Sequence, residues 1–160
     1  MTEVYTTFNM LNTYSETYRA IFTLTKSILP DGRTRWTHYR LGYHLVWIPK
    51  FRRKVLQDDV AGRTKVLIAE ACARHDLTLI SVETDMDHVH VFVSAPPAVS
   101  PSDIAKLLKG YSSKKLREDF PHLRKICGAE QLWAQSYYVG SVGDMSAETV
   151  RRYIEDCQGR

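Results

Sequence analysis

At 160 residues, 44% of them hydrophobic, the chain suits one domain with its own core, and a net charge of +4 with a pI near 9.0 fits a polyanionic partner. Cys72, Cys127 and Cys157 are too few and too scattered for a disulfide framework or a zinc knuckle. The start Met-Thr-Glu-Val has neither the basic nor the apolar region of an export signal, and no apolar run approaches a membrane span; the expectation is a cytoplasmic protein with no membrane partner.

In chain order, Tyr14, Tyr18, Ile21, Phe22, Ile28 and Leu29 predict an amphipathic helix ended by Pro30-Asp31-Gly32, inside an N-terminal extension over 1–36 that precedes a domain over 37–160. Tyr39, Leu41, Tyr43, Leu45 and Trp47 alternate with His38, Arg40, Gly42 and His44, which predicts a strand over 37–48 stopped by Pro49. A basic run follows, with Lys50, Arg52, Arg53 and Lys54. Val60, Thr64, Leu67, Ile68, Ala71 and Cys72 then recur at helical spacing behind the acidic first turn Asp58-Asp59. Residues 77–84 alternate as a strand, turn through Asp85-Met86-Asp87 and return over 88–94, before Pro96-Pro97 breaks the sheet. Ser100-Pro101-Ser102-Asp103 supplies an N-cap, a proline at the first helical position and an acid at the third, launching a helix to residue 117. That helix concentrates Lys106, Lys109, Lys114, Lys115 and Arg117 around Tyr111. Residues 120–130 read as a loop, 132–142 as a strand, and Ser146 as the N-cap of a final helix with Val150 and Ile154 as its apolar pair.

The order β-α-β-β-α-β-α is an α+β arrangement, the split βαβ of ferredoxin-like folds: an antiparallel sheet covered by helices on one face, plus a C-terminal helix that bears Tyr153. His88 and His90, one residue apart on a strand, project from the same face and can grip one metal ion, while Val89, Val91 and Val93 face the core. Such a pair by itself is more often a hydrogen-bonded structural feature. Tyr153 lies about 100° around its helix from Ile154, a boundary position that packing alone would explain. Cations interleaved with aromatics suit a phosphate backbone with stacked bases, although a solvated helix face explains the second cluster equally well. His44 reads as structural, and His38, His75 and His122 have no partner at ligand spacing.

Taken together, Tyr43-His44-Leu45-Val46-Trp47-Ile48-Pro49-Lys50-Phe51-Arg52-Arg53-Lys54, Asp87-His88-Val89-His90, Leu108-Lys109-Gly110-Tyr111-Ser112-Ser113 and Tyr153-Ile154-Glu155 resemble the small single-tyrosine HUH transposases of IS200-like insertion sequences. REP-associated tyrosine transposases are close relatives. The resemblance runs from residue 37 to 158 in order and leaves the first 35 residues outside it.

It implies that the Tyr153 phenolate attacks single-stranded DNA, leaves a 3′-OH and holds the 5′-phosphate as a phosphotyrosine, which a second strand's 3′-OH reverses. It also implies hairpins near element ends as substrate, with Arg52, Arg53, Lys109 and Lys114 offered as phosphate contacts. The relatives act as homodimers whose sheets join edge to edge and whose tyrosine helices serve the partner's histidines. Their metal site is completed by a glutamine four residues after the tyrosine; here Cys157 stands there and Gln158 follows. Gln158 is ranked first as third ligand, because chain ends distort easily, then Asp156, then Cys157, whose sulfur suits Mg²⁺ poorly; the alternative is that none ligates and water fills the position. Two imidazoles with oxygen ligands suit Mn²⁺ or Mg²⁺ better than zinc. Two rivals are a non-catalytic ferredoxin-like nucleic-acid-binding module, which the strands' lack of a glycine-aromatic RNA-recognition signature disfavours, and a metal-dependent phosphoesterase that uses water.

Overall fold

Leu45 and Trp47 on one strand and Val89, Val91 and Val93 on its neighbour are at most 1% exposed, and the fold is organised around the face they share. A computed structural model describes residues 29–143. Their elements are β1 (Gly32–Arg33), β2 (His38–Tyr39), β3 (Gly42–Trp47), a 3₁₀ turn (Lys50–Arg52), α1 (Asp58–Arg74), β4 (Thr78–Asp85), β5 (His88–Ser94), α2 (Pro101–Asp119), α3 (Leu123–Cys127) and β6 (Tyr138–Val142). The four longer strands form an antiparallel sheet in the order β4-β5-β3-β6, the split βαβ order expected, with the histidine strand β5 central. The predicted helices over 14–29 and 146–158, with Tyr153, Asp156, Cys157 and Gln158, lie outside the described residues apart from Leu29.

Both long helices form for the reasons legible in the chain. The six residues at helical spacing on α1, from Val60 to Cys72, are all buried. At the start of α2 the Ser100 hydroxyl accepts from the Asp103 backbone N–H at 3.1 Å behind Pro101, as an N-cap should. Ile104, Leu108 and Leu116 of α2 meet Leu67 and Ile68 of α1 in one core with the inward valines of the sheet. The other face of the sheet carries no helix among the described residues.

Three segments differ from expectation. The strand predicted over 37–48 is two strands, because β2 pairs with β1 in a separate ribbon and the chain changes partner before β3. The ribbon turns on Thr34, whose hydroxyl accepts from the N–H groups of Trp36 and Thr37. A Cβ at Gly32 would lie 2.2 Å from the Tyr39 ring, so any larger residue there would have to displace that ring. The loop predicted over 120–130 contains α3, held by buried Leu123 and Cys127 and ended by Gly128 at φ +111°. The strand predicted over 132–142 is interrupted. Trp133 bridges Pro49, and β6 begins only at Tyr138. Between them the Lys109 ammonium donates to the carbonyls of Gln135 and Ser136, so those groups are engaged by a side chain instead of a ladder.

Candidate active site

Strand register decides which side chains share the open face. Val46 lies opposite His90 on one side and Tyr138 on the other, Glu83 lies opposite His90, Asp85 opposite His88, and His44 opposite Phe92. The histidine pair is therefore on the face that carries no helix among the described residues, as the alternation with the core valines requires. The two rings are 4.8 Å apart between centroids and stand edge to face at 73°.

Each ring is held at Nδ1. His88 Nδ1 sits 2.7 Å from Asp87 Oδ1, and a carboxylate can only accept, so this nitrogen carries the proton. Asp87 Oδ2 accepts from Arg52 Nε at 2.8 Å. The hydrogen bond from His88, with Arg52 beside it, holds the Asp87 carboxyl below the usual carboxylate range. His90 Nδ1 lies 3.1 Å from His44 Nε2. Burial, with the neighbouring His88, pushes the His90 imidazole below its ordinary value, so it favours the neutral form that ligates metals. His44 is itself buried, stacked on Phe92 at 4.3 Å, and burial lowers its imidazole to about 4. The sequence reading of His44 as merely structural therefore missed its contact with the pair. The signal was its place on β3, but the register that brings it to His90 is not visible in one strand.

The basic run after β3 forms a strained turn. Phe51 (φ 59°) and Arg52 (φ 52°) are both in the left-handed region, on the order of 1–3 kcal/mol each for residues other than glycine. The turn is held by Lys50 N–H donating to Leu132 O, Arg52 N–H donating to Pro49 O, and the Arg52–Asp87 ion pair. It ties the basic run to His88 through Asp87. Of the four residues offered as phosphate contacts, Arg53 and Lys114 are exposed, Arg52 is exposed but paired with Asp87, and Lys109 is half-buried with two of its donors on backbone carbonyls. Burial lowers the Lys109 ammonium.

The donor set suits a divalent ion: two imidazoles on one face, each fixed at Nδ1, leave two Nε2 atoms. Among the described residues, no histidine, cysteine, aspartate or glutamate joins the pair as a third ligand.

The sequence profile of the family described as "Transposase IS200 like" matches residues 37–157. The chain belongs to the IS200-like transposase family. Within that family it is 34% identical over 117 residues to the ISDra2 transposase TnpA of Deinococcus radiodurans, covering 73% of this chain and 84% of that protein. It is 30% identical over 124 residues to the transposase for insertion sequence element IS200 of Salmonella typhimurium, covering 78% and 79%. A crystal structure of a candidate transposase from Deinococcus radiodurans superposes with a TM-score of 0.66 at 34% identity, covering 78% of this chain and 96% of that one. A REP-associated tyrosine transposase bound to a REP hairpin shares the fold at a TM-score of 0.51 and 11% identity, covering 78% and 68%. Among the described residues no helix of this IS200-like transposase is long and apolar enough to cross a membrane.

Proposed function

We propose that this transposase nicks and rejoins single-stranded DNA at hairpins near the ends of an insertion sequence, with Tyr153 as nucleophile and a divalent ion, Mn²⁺ or Mg²⁺, held by His88 and His90. The observation that carries the reading is the pair of imidazoles on one sheet face, each engaged at Nδ1, which directs Nε2 of each ring away from that partner; for His88 the carboxylate partner leaves Nε2 with its lone pair. Gln158 is proposed as the third protein ligand. When bound, such an ion withdraws charge from the non-bridging oxygens of the scissile phosphate. The chain's own part is to aim the attack. The Tyr153 oxygen forms a bond to phosphorus, the bond from phosphorus to O3′ breaks, and the leaving 3′ oxygen takes up a proton. The 5′-phosphate stays on the tyrosine until a second 3′-OH attacks, releases Tyr153 and reseals a strand, so no nucleotide cofactor is consumed. Arg53 and Lys114, both exposed, are proposed to contact backbone phosphates.

Trapping on a hairpin oligonucleotide under denaturing conditions tests this. Wild-type protein with Mn²⁺ should give a covalent protein–DNA band, and Tyr153→Phe should give none while still binding DNA. Undiminished cleavage by Tyr153→Phe would reassign the chemistry to water, as in a phosphoesterase. Binding without cleavage in wild-type protein would leave a nucleic-acid-binding module. Tyr138, on the sheet face of His90 by register and edge-on to His44 at 5.9 Å, is the control, and Tyr138→Phe should keep the band.

A further inference from the structure

The two proposed ligands are anchored differently. His88 leans on a carboxylate, whereas His90 leans on a second imidazole from the neighbouring strand. A hydrogen bond between two neutral imidazoles holds one proton, and which ring carries it decides what the far nitrogen can do. If His44 donates, His90 Nδ1 is the acceptor and His90 Nε2 keeps its hydrogen, closing it to a cation. If His90 donates, its Nε2 presents a lone pair, the same tautomer that Asp87 imposes on His88.

We propose that His44 is a positioning residue for the metal site, accepting the His90 Nδ1 proton at its own Nε2 and so holding His90 in the ligating tautomer and orientation. Three observations carry this. The Nε2 to Nδ1 distance is 3.1 Å. His44 is only 5% exposed, so water does not compete freely for the bond. Its ring is stacked on Phe92 at 4.3 Å and 6°, and it lies nearly parallel to the His90 ring, at 11° with centroids 5.3 Å apart, as a hydrogen bond between ring edges needs; the stack on Phe92 leaves it little freedom to turn away. Phe92 lies opposite it in the β3–β5 register, so the strand pairing itself delivers the stack. This inference rests on the metal reading of the preceding section, in which His44 has no part.

Long-range ¹H–¹⁵N NMR of the metal-free full chain, at a pH about two units above the ordinary imidazole value, reads the tautomer directly. Wild-type His90 should show hydrogen on Nδ1. His44→Phe keeps an aromatic ring to stack on Phe92 but has no acceptor, and should move His90 to the Nε2–H form. Mn²⁺ titration by calorimetry should then show an affinity roughly 10- to 100-fold lower in His44→Phe, as for other lost partners of metal-bound histidines. His44→Gln, whose amide oxygen can replace the accepting nitrogen, should recover most of it. A wild-type His90 already in the Nε2–H form, or tautomer and affinity both unchanged in His44→Phe, would overturn the assignment. Wild-type protein that takes up no Mn²⁺ would overturn the metal reading and the purpose of the tether together. Normal uptake with an unmoved tautomer in the variant removes the tether alone.

Discussion

Asp87 serves two neighbours with one carboxylate, fixing the His88 proton with Oδ1 and the strained basic turn with Oδ2. Both contacts favour the ionised form, and the folded-state pKa is depressed accordingly. A depressed carboxylate stabilises the fold fully above its unfolded value of about 4, and that contribution is lost as pH falls through the lower folded value. Asp87→Asn retains an oxygen for His88 but removes the charge from Arg52. The variant should therefore be less stable than wild type by about 1 kcal/mol at neutral pH, with the difference shrinking toward zero in acid. Urea unfolding at a series of pH values checks this, and a gap independent of pH would mean that the ionised state of Asp87 contributes nothing. Arg52, which the sequence offers as a phosphate contact, is held in an ion pair with Asp87, the residue whose other oxygen fixes His88.

At the level of elements, α2 does more than cover the sheet. Ser112 lies on its inward face, donates to the Leu108 carbonyl at 2.6 Å and accepts from the Trp133 indole at 2.9 Å; Ser113 accepts from the Leu132 N–H at 3.1 Å. These bonds hold the segment that bridges Pro49 and leads into β6. Ser112→Ala leaves a buried indole N–H without its acceptor, and should cost about 1–3 kcal/mol in chemical denaturation, where a simple loss of a surface hydroxyl would cost almost nothing. The sequence reading gave Ser112 no structural role, since a serine amid Lys109, Lys114 and Lys115 looks like part of a solvated face. The same limit explains the other misses. Period-two and helical patterns disclosed β3, β4, β5 and α1, which depend on long apolar repeats, and the capping signal at Ser100-Pro101 disclosed α2. They could not disclose the ribbon of β1 and β2 or the one-turn α3, where two-residue strands and five residues are too short for a period. Of the site, the shared face of His88 and His90 was legible because alternation on one strand is local; the approach of His44 and Arg52 was not, because both depend on pairing across strands.

For the whole molecule, the open sheet face poses the remaining question of what completes the site. The described residues bring two imidazoles together and no third ligand of the histidine, cysteine or carboxylate type. From Val142 the sequence continues through Gly143-Asp144-Met145 toward Tyr153 and Gln158, and a glycine in that connection permits more than one path. β6, which ends at Val142, has no partner on its outer edge among the described residues, and Tyr138 and Val139 are exposed there. An unpaired edge with exposed apolar side chains is the kind of surface that joins a second copy of the same chain. The resemblance implies that in such a dimer Tyr153 of one subunit would serve the histidine pair of the other. Mixing inactive His88→Ala with inactive Tyr153→Phe separates this arrangement from sites assembled within one chain. With shared sites, a mixed dimer holds one site with both defects and one with neither, so about a quarter of wild-type cleavage should return if subunits exchange at random. With sites built within a subunit, every site in the mixture keeps one defect. No recovery, despite exchange demonstrated with labelled subunits, would place Tyr153 beside the histidines of its own chain.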